Sequence, residues 1–355
     1  MPRKESLNLN YYWKKKTILS FFAIFFVIII HNSTINQYPD LAPDIFTNIT
    51  NATHNFLAYI LGAVAVPLFF FISSLTFFRD YSFKKYPKKL LSRLKTIVLP
   101  YLIWNLFGLL FAILYTYTPL KTIISGRELF TPTLGNILSG LFLYKYNFHF
   151  WFLFDLIIFT ILTPLFNLLA SKKWLAPFVT ILLLLLPLIS DSFLHIRLNF
   201  IIFYYLGAYI SKHHLELFTK PASFKTSLIA GIITIITLIA TTTLNLYSIP
   251  VPSIISELLL LILLFSVWFS SDLIIKKLHL HAFYSLFFPI YIIHPYIIAF
   301  IIKLFIILFP KTSWMLLINN FLSPILTILI LIPTLLLWRR LLPKTYAFLF
   351  GERKK

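Results

Sequence analysis

Cysteine is absent from the 355 residues, which excludes disulfide frameworks, thiolate zinc sites and cysteine nucleophiles together. Any nucleophile or base must therefore be His, Ser, Asp, Glu or Lys. Charge is sparse, with Asp, Glu, Lys and Arg at 12% of the chain and acidic residues numbering only 11. There is no glycine-rich phosphate loop, no H-E-x-x-H, no G-x-S-x-G and no fixed-period repeat. What fills the chain instead is apolar surface: hydrophobic residues make up 59%, and 39 of them are phenylalanine. No soluble core could bury that much, so the composition points to a polytopic membrane protein. A net charge of +20 would suggest nucleic acid in a soluble protein. Here its placement along the chain matters more than its sum, and no nucleic-acid partner is expected.

Ten apolar spans are legible, at about 17–36, 56–78, 96–118, 150–170, 175–190, 196–211, 226–246, 254–273, 284–309 and 318–338. Each is near the roughly 20 residues a helix needs to cross the hydrocarbon, with 175–190 and 196–211 short. If the amino terminus is cytoplasmic, the inner segments hold 25 of the 31 basic residues, including Lys14–Lys16, the run Arg79–Lys95 and the last residues, Arg353–Lys355. The outer segments hold only Lys121, Arg127, Lys145, Arg197 and Lys311. That bias predicts an all-α bundle of about ten transmembrane helices with both termini cytoplasmic. The sequence after the first span, HNSTINQYPD, offers no small-residue cleavage site, so the span is expected to be a retained helix. Gly62, Ala63, Ala65, Ser73 and Ser74 predict a closely packed second span, and Pro67 a kink in it. Leu134–Tyr144, in the outer interruption, reads as an interfacial or re-entrant helix.

Intramembrane ionisable groups are rare enough that each is a functional candidate. The first is His31, at the far end of an apolar run from Ile18 to Ile30 and roughly 22 Å along a helix from Lys16. His149 and Trp151 fall at the outer interface, where aromatic residues are expected anyway. Asp155 lies about one turn further in. It reads either as a structural partner of a nearby cation or as a group that binds an acceptor or orients a histidine. His294 falls near the middle of the ninth span, bracketed by Pro289 and Pro295, which free backbone carbonyls around it. The Arg79–Lys95 loop reads first as a topology determinant on anionic lipid, and second as a docking surface for an anionic soluble donor.

Six pieces, in this order, resemble the acyltransferase-3 superfamily of bacterial integral membrane acyltransferases. They are AIFFVIIIH ending at His31, VPLFFFISS at Val66–Ser74, SRLKTIVLPYLIW at Ser92–Trp104, HFWFLFDLIIFTILTPL at His149–Leu165, FIIFYYLGAYI at Phe200–Ile210 and FYSLFFPIYIIHPYI at Phe283–Ile297. The resemblance implies one integral membrane domain over 1–345, followed by a basic cytoplasmic tail at 346–355, in the bacterial inner membrane. It implies transfer of an acyl group from a cytoplasmic acyl-CoA, usually acetyl-CoA, to a hydroxyl of a surface glycan or lipid-linked glycan, with no bound cofactor or metal. The family's first-helix histidine falls on His31 and its arginine after the second helix on Arg93, a candidate for donor phosphates. Its outer histidine and tryptophan fall on His149 and Trp151, and its late-helix histidine on His294.

Two positions depart from the family pattern. The arginine eleven residues before the helix-one histidine is Ser20 here, and the arginine three after Arg93 is Thr96. Lys16 and Lys95 are the nearest candidates to supply the missing charge, although a lysine lacks the bidentate fork of arginine. In this reading His31 takes a proton from the acceptor hydroxyl or carries the acyl group for one step. Ten helices with intramembrane His, Asp, Glu and Lys also fit a proton-coupled exporter. The absent arginines equally fit a catalytically degenerate scaffold in polysaccharide synthesis.

Overall fold

The computed structural model describes residues 8–123 and 128–352. Expectations placed on Arg3, Lys4, Arg127 and Arg353–Lys355 lie outside these residues. The first half of the bundle contains α1 (Leu9–Ile30), α2 (Ile45–Asn55), α3 (Ala65–Phe78), α4 (Tyr86–Arg93), α5 (Leu99–Tyr117), α6 (Leu120–Ile123), α7 (Leu134–Phe142), α8 (Trp151–Ile161) and α9 (Thr163–Ser171). The second half contains α10 (Ala176–Leu185), α11 (Ile201–His213), α12 (Leu215–Thr219), α13 (Phe224–Leu246), α14 (Ser253–Ser270), α15 (Asp272–Ile275), α16 (Phe287–Leu308), α17 (Ser313–Leu341) and α18 (Pro343–Phe350). A two-stranded antiparallel hairpin, Ser192–Phe193 with Ile196–Arg197, interrupts the helices.

The protein is an all-α polytopic membrane bundle. Each of the ten apolar spans contains helix, but the span at 196–211 begins in the strand Ile196–Arg197 and the spans are not equal in length. Among the described residues seven helices are long and apolar enough to cross a membrane. The span at 150–170 is an eighth only if α8 and α9, bent by 63° between Ile161 and Thr163, count as one. Pro164 lies at that break, and its missing N–H is tolerated because it sits in the first turn of α9. The two spans already short in sequence remain short, as Lys173–Leu188 and the 13-residue α11.

The burial pattern is that of a protein in lipid. Helix α13 buries only Ser227, Ala230 and Thr237, while Leu228, Ile229, Ile232, Ile235, Ile236 and Ile239 face outward. Small and hydroxyl-bearing residues face the neighbouring helix and large aliphatic ones the surroundings, the inverse of a water-soluble surface helix. Helices α3 and α11 approach most closely where Gly207 meets α3: a Cβ there would lie 2.6 Å from the Phe71 carbonyl oxygen and 2.7 Å from Ser74 Cβ. Just before Pro67 the helical backbone is irregular, with a π-helical turn, Phe56–Leu61, and a 3-10 turn, Gly62–Val64. A second π-helical turn, Leu94–Val98, joins α4 to α5. Such turns recur at functional sites.

Residues 343–350 form α18, which turns back onto the bundle. Tyr346 and Phe350 are buried, and the Phe350 ring stacks on Trp104 at 5.8 Å. Burial, then the neighbouring Glu352 carboxylate, holds the Tyr346 phenol above its ordinary pKa.

Candidate functional site

Helix α1 ends where its apolar run ends. His31 closes it, its backbone N–H donating to the Val27 carbonyl at 3.1 Å, and its ring turns into the bundle rather than out to lipid. The ring meets Phe148 edge-on at 5.2 Å, His294 at 5.3 Å and His149 at 6.4 Å between centroids. His149 and His294 are 5.7 Å apart. Three imidazoles from three separate spans thus form one cluster, with His149 and His294 fully buried and His31 partly so.

Helix α16 sets two of these rings. Pro295 lacks an N–H, so the Tyr291 carbonyl four residues earlier has no helical donor and accepts from His294 Nδ1 at 2.8 Å instead. A carbonyl can only accept, so Nδ1 carries the proton and Nε2 presents a lone pair; that buried Nε2 has no hydrogen-bond partner. By the same reasoning His149 Nε2 donates to the Ile292 carbonyl at 3.2 Å. The Tyr291 hydroxyl donates to the His149 carbonyl at 2.5 Å. The turn carrying His149 is anchored by Asn147, whose Nδ2 donates to the Trp104 carbonyl at 2.6 Å and whose Oδ1 accepts from the Tyr296 hydroxyl. Gly108 leaves room for it, since a Cβ there would lie 2.3 Å from Asn147 Nδ2.

Near this cluster is a cavity of 310 Å³ whose lining includes Lys16, Ser20, Arg93, Thr96, Tyr291 and Glu352. Two of the expected donor-side cations, Lys16 and Arg93, therefore share one chamber, and both positions at which the sequence lacks an arginine lie on its wall. Lys95 is exposed and does not line it. Two residues beyond Arg93 is close to the opposite side of the helix, whereas Thr96, at three, returns to the same side. Tyr291 separates the chamber from the histidines, its ring 5.7 Å from His149 and 6.2 Å from His294.

Trp151 and Asp155 belong to a second centre, organised by Arg197 of the Ser192–Arg197 hairpin. The guanidinium lies 3.8 Å over the Trp151 ring, and the Arg197 backbone N–H donates to Asp155 Oδ2 at 3.2 Å. Trp151 is two residues past His149 and faces Phe152 and Phe200.

Sequence reasoning missed a buried polar network beside His31. Asn32 Nδ2 donates to both the Asn320 carbonyl, at 2.7 Å, and its Oδ1, at 3.1 Å. His54 Nδ1 shares that Oδ1 at 3.2 Å. The available signal was the stripe Asn319, Ser323, Thr327, spaced by four along an apolar helix and wholly buried. Among the described residues no group of three or more His, Asp or Glu is arranged to hold a metal ion.

A family model for the acyltransferase-3 acyltransferase domain matches residues 18–350, from the first apolar run to the end of α18. This chain belongs to the acyltransferase-3 family. Searches of curated proteins and of solved structures gave no match. Family membership and the bundle together make the protein a multi-pass membrane acyltransferase. Within that acyltransferase the matched region takes in the histidine cluster, the chamber up to Phe350 and the Arg197 centre.

Proposed function

We propose that the protein moves an acyl group, acetyl in the first instance, from a cytoplasmic acyl-CoA to a hydroxyl of a surface glycan or lipid-linked glycan, in the inner membrane of a bacterium and with both termini cytoplasmic. One observation carries the reading: a cation-lined chamber and a cluster of three imidazoles lie on either side of one phenol ring, that of Tyr291. The chamber suits an anionic donor, with Lys16 and Arg93 as the phosphate-facing cations. Rotation of the Tyr291 side chain, which breaks its bond to the His149 carbonyl, admits the thioester to the rings.

His31 is the base. Its ring nitrogen takes the proton of the acceptor hydroxyl as that oxygen attacks the thioester carbonyl carbon. The C–S bond breaks, and coenzyme A leaves as the thiolate and is protonated from solvent. In the two-step variant the His31 nitrogen itself displaces the thiolate; the acceptor oxygen then takes the acyl group, the N–acyl bond breaks, and the freed ring nitrogen takes the hydroxyl proton. The lone pair of His294 Nε2 supports the imidazolium that forms on His31. Trp151 and Asp155, around Arg197, suit the acceptor sugar.

Inverted membrane vesicles given radiolabelled acetyl-CoA test this directly. Label should appear in glycan with the native protein. His31→Ala should lower incorporation by about a hundredfold or more at unchanged protein level. Undiminished labelling would remove His31 from the mechanism, and acetyl-CoA uptake without modification would mark a carrier instead.

A further inference from the structure

The chain's own last described turn forms part of the wall of the cation-lined chamber. Phe350, Gly351 and Glu352 all line it, and Gly351 adopts a left-handed conformation with φ +62°. A Cβ on Gly351 would lie 2.5 Å from the Thr96 carbonyl oxygen, so the turn is seated directly on the π-helical segment that follows Arg93. Trp104 Nε1 donates to the Leu349 carbonyl at 3.0 Å, and the Glu352 N–H to the Ala347 carbonyl at 3.1 Å. This geometry delivers a carboxylate into a chamber otherwise provided with Lys16 and Arg93.

Arg339, in the last turn of α17, holds that carboxylate: its Nη2 pairs with Glu352 Oε1, and its Nη1 donates to Ser285 Oγ at 3.2 Å. Ser285 also lines the chamber. Both partners of the ion pair keep 33% of their side-chain surface exposed, so the pair is screened and readily exchanged. Arg339 does not itself line the chamber but engages two residues that do, Glu352 and Ser285, and once the carboxylate is displaced its two outer nitrogens can both be offered to a phosphate.

We infer that Arg339 is a third anion subsite of this chamber and that Glu352 occupies it in place of a donor phosphate. The inference rests on the donor reading given above. A phosphate-bearing donor entering the chamber exchanges the Glu352 carboxylate for its own oxygens on Arg339, and the turn Phe350–Glu352 lifts away from Thr96. The charge that Ser20 and Thr96 do not supply is then provided from the other end of the chain.

The test is binding of coenzyme A, without an acyl group, to the full-length protein in phosphatidylcholine nanodiscs, where no anionic lipid competes. E352Q removes the competing charge and should tighten binding about two- to fivefold. R339Q should weaken it about tenfold. Unchanged thermal melting establishes that each variant is folded. Amide hydrogen exchange over 346–352 supplies a readout on the native chain and should speed up when coenzyme A saturates. If the native protein binds coenzyme A while E352Q binds no tighter, or exchange over 346–352 slows, the subsite is refuted and the donor reading stands. If the native protein binds no coenzyme A, both fall together.

Discussion

Removing one charge from Lys15 or Asp272 should destabilise the fold more than removing both. These side chains form an ion pair at 2.7 Å with neither exposed, and the ammonium also lies 4.7 Å over the Trp268 ring. Asp272 accepts two further hydrogen bonds, from the Tyr11 hydroxyl and from the Ala222 N–H at 2.9 Å. One carboxylate thereby ties together α1, α15 and the start of α13. Asp272→Asn keeps the shape and one acceptor, its oxygen for the Ala222 N–H with its amide NH2 turned to the Tyr11 hydroxyl oxygen, but leaves the Lys15 ammonium without its counter-charge, a cost of about 3–5 kcal/mol. Lys15→Met leaves a carboxylate that still has two donors, and belongs at the lower end of that range, about 3 kcal/mol. The double variant K15M/D272N leaves neither charge of this pair buried, so it should be more stable than either single variant. Unfolding of the purified protein in mixed micelles by added SDS, followed by tryptophan fluorescence, measures all four chains. Should D272N unfold with the native protein, or the double variant prove the least stable, the reasoning fails, and the pair is neither dry nor structurally required.

Two further outcomes follow from backbone geometry. Pro295→Ala restores an N–H that competes with His294 for the Tyr291 carbonyl, so acyl transfer should drop about three- to tenfold while melting stays level or rises; a variant as active as the native protein would show that the His294 tautomer needs no such support. Gly207→Leu has no space against Phe71 and Ser74, so α3 and α11 must separate, at about 3 kcal/mol or more; normal accumulation and melting of that variant would contradict the close approach.

Much of the bundle was legible because length and hydropathy suffice to mark a membrane helix. Which face of each helix turns inward was not. Helix α1 is apolar almost all round, with Ile18, Leu19, Ala23, Ile24, Val27, Ile28 and Ile29 all buried, so its sequence contains no stripe to fix a rotation. That is why Lys15, which reads as one of three equivalent topology lysines, is found wholly buried while Lys14 and Lys16 are only partly so. The meeting of His31, His149 and His294 is likewise a property of packing between distant spans. Each could be nominated as an ionisable group in lipid, but their convergence could be anticipated only through the family resemblance. The role of Pro295 was closer to the surface of the sequence, because a proline in a helix always frees a carbonyl and a histidine beside it is a ready donor.

The two absent arginines now have a specific meaning. Ser20 and Thr96 do not lie on unrelated surfaces: both line the chamber shared by Lys16 and Arg93, so both departures lower the charge of one chamber. A chamber with fewer fixed cations holds a multiply charged donor less tightly, unless charge is recruited from elsewhere. The polypeptide comes close enough to do so at one place, where the Gly351 turn rests on the Thr96 backbone and Arg339 stands behind Glu352. The backbone of Thr96 and the carboxylate of Glu352 thus belong to one contact, and whatever displaces the carboxylate also uncovers the position the missing arginine would have served. Binding measured against salt tests this coupling. A three-cation subsite should lose coenzyme A affinity steeply between low and physiological ionic strength, and R339Q should flatten that dependence; equal slopes for the two proteins would show that Arg339 never faces the ligand.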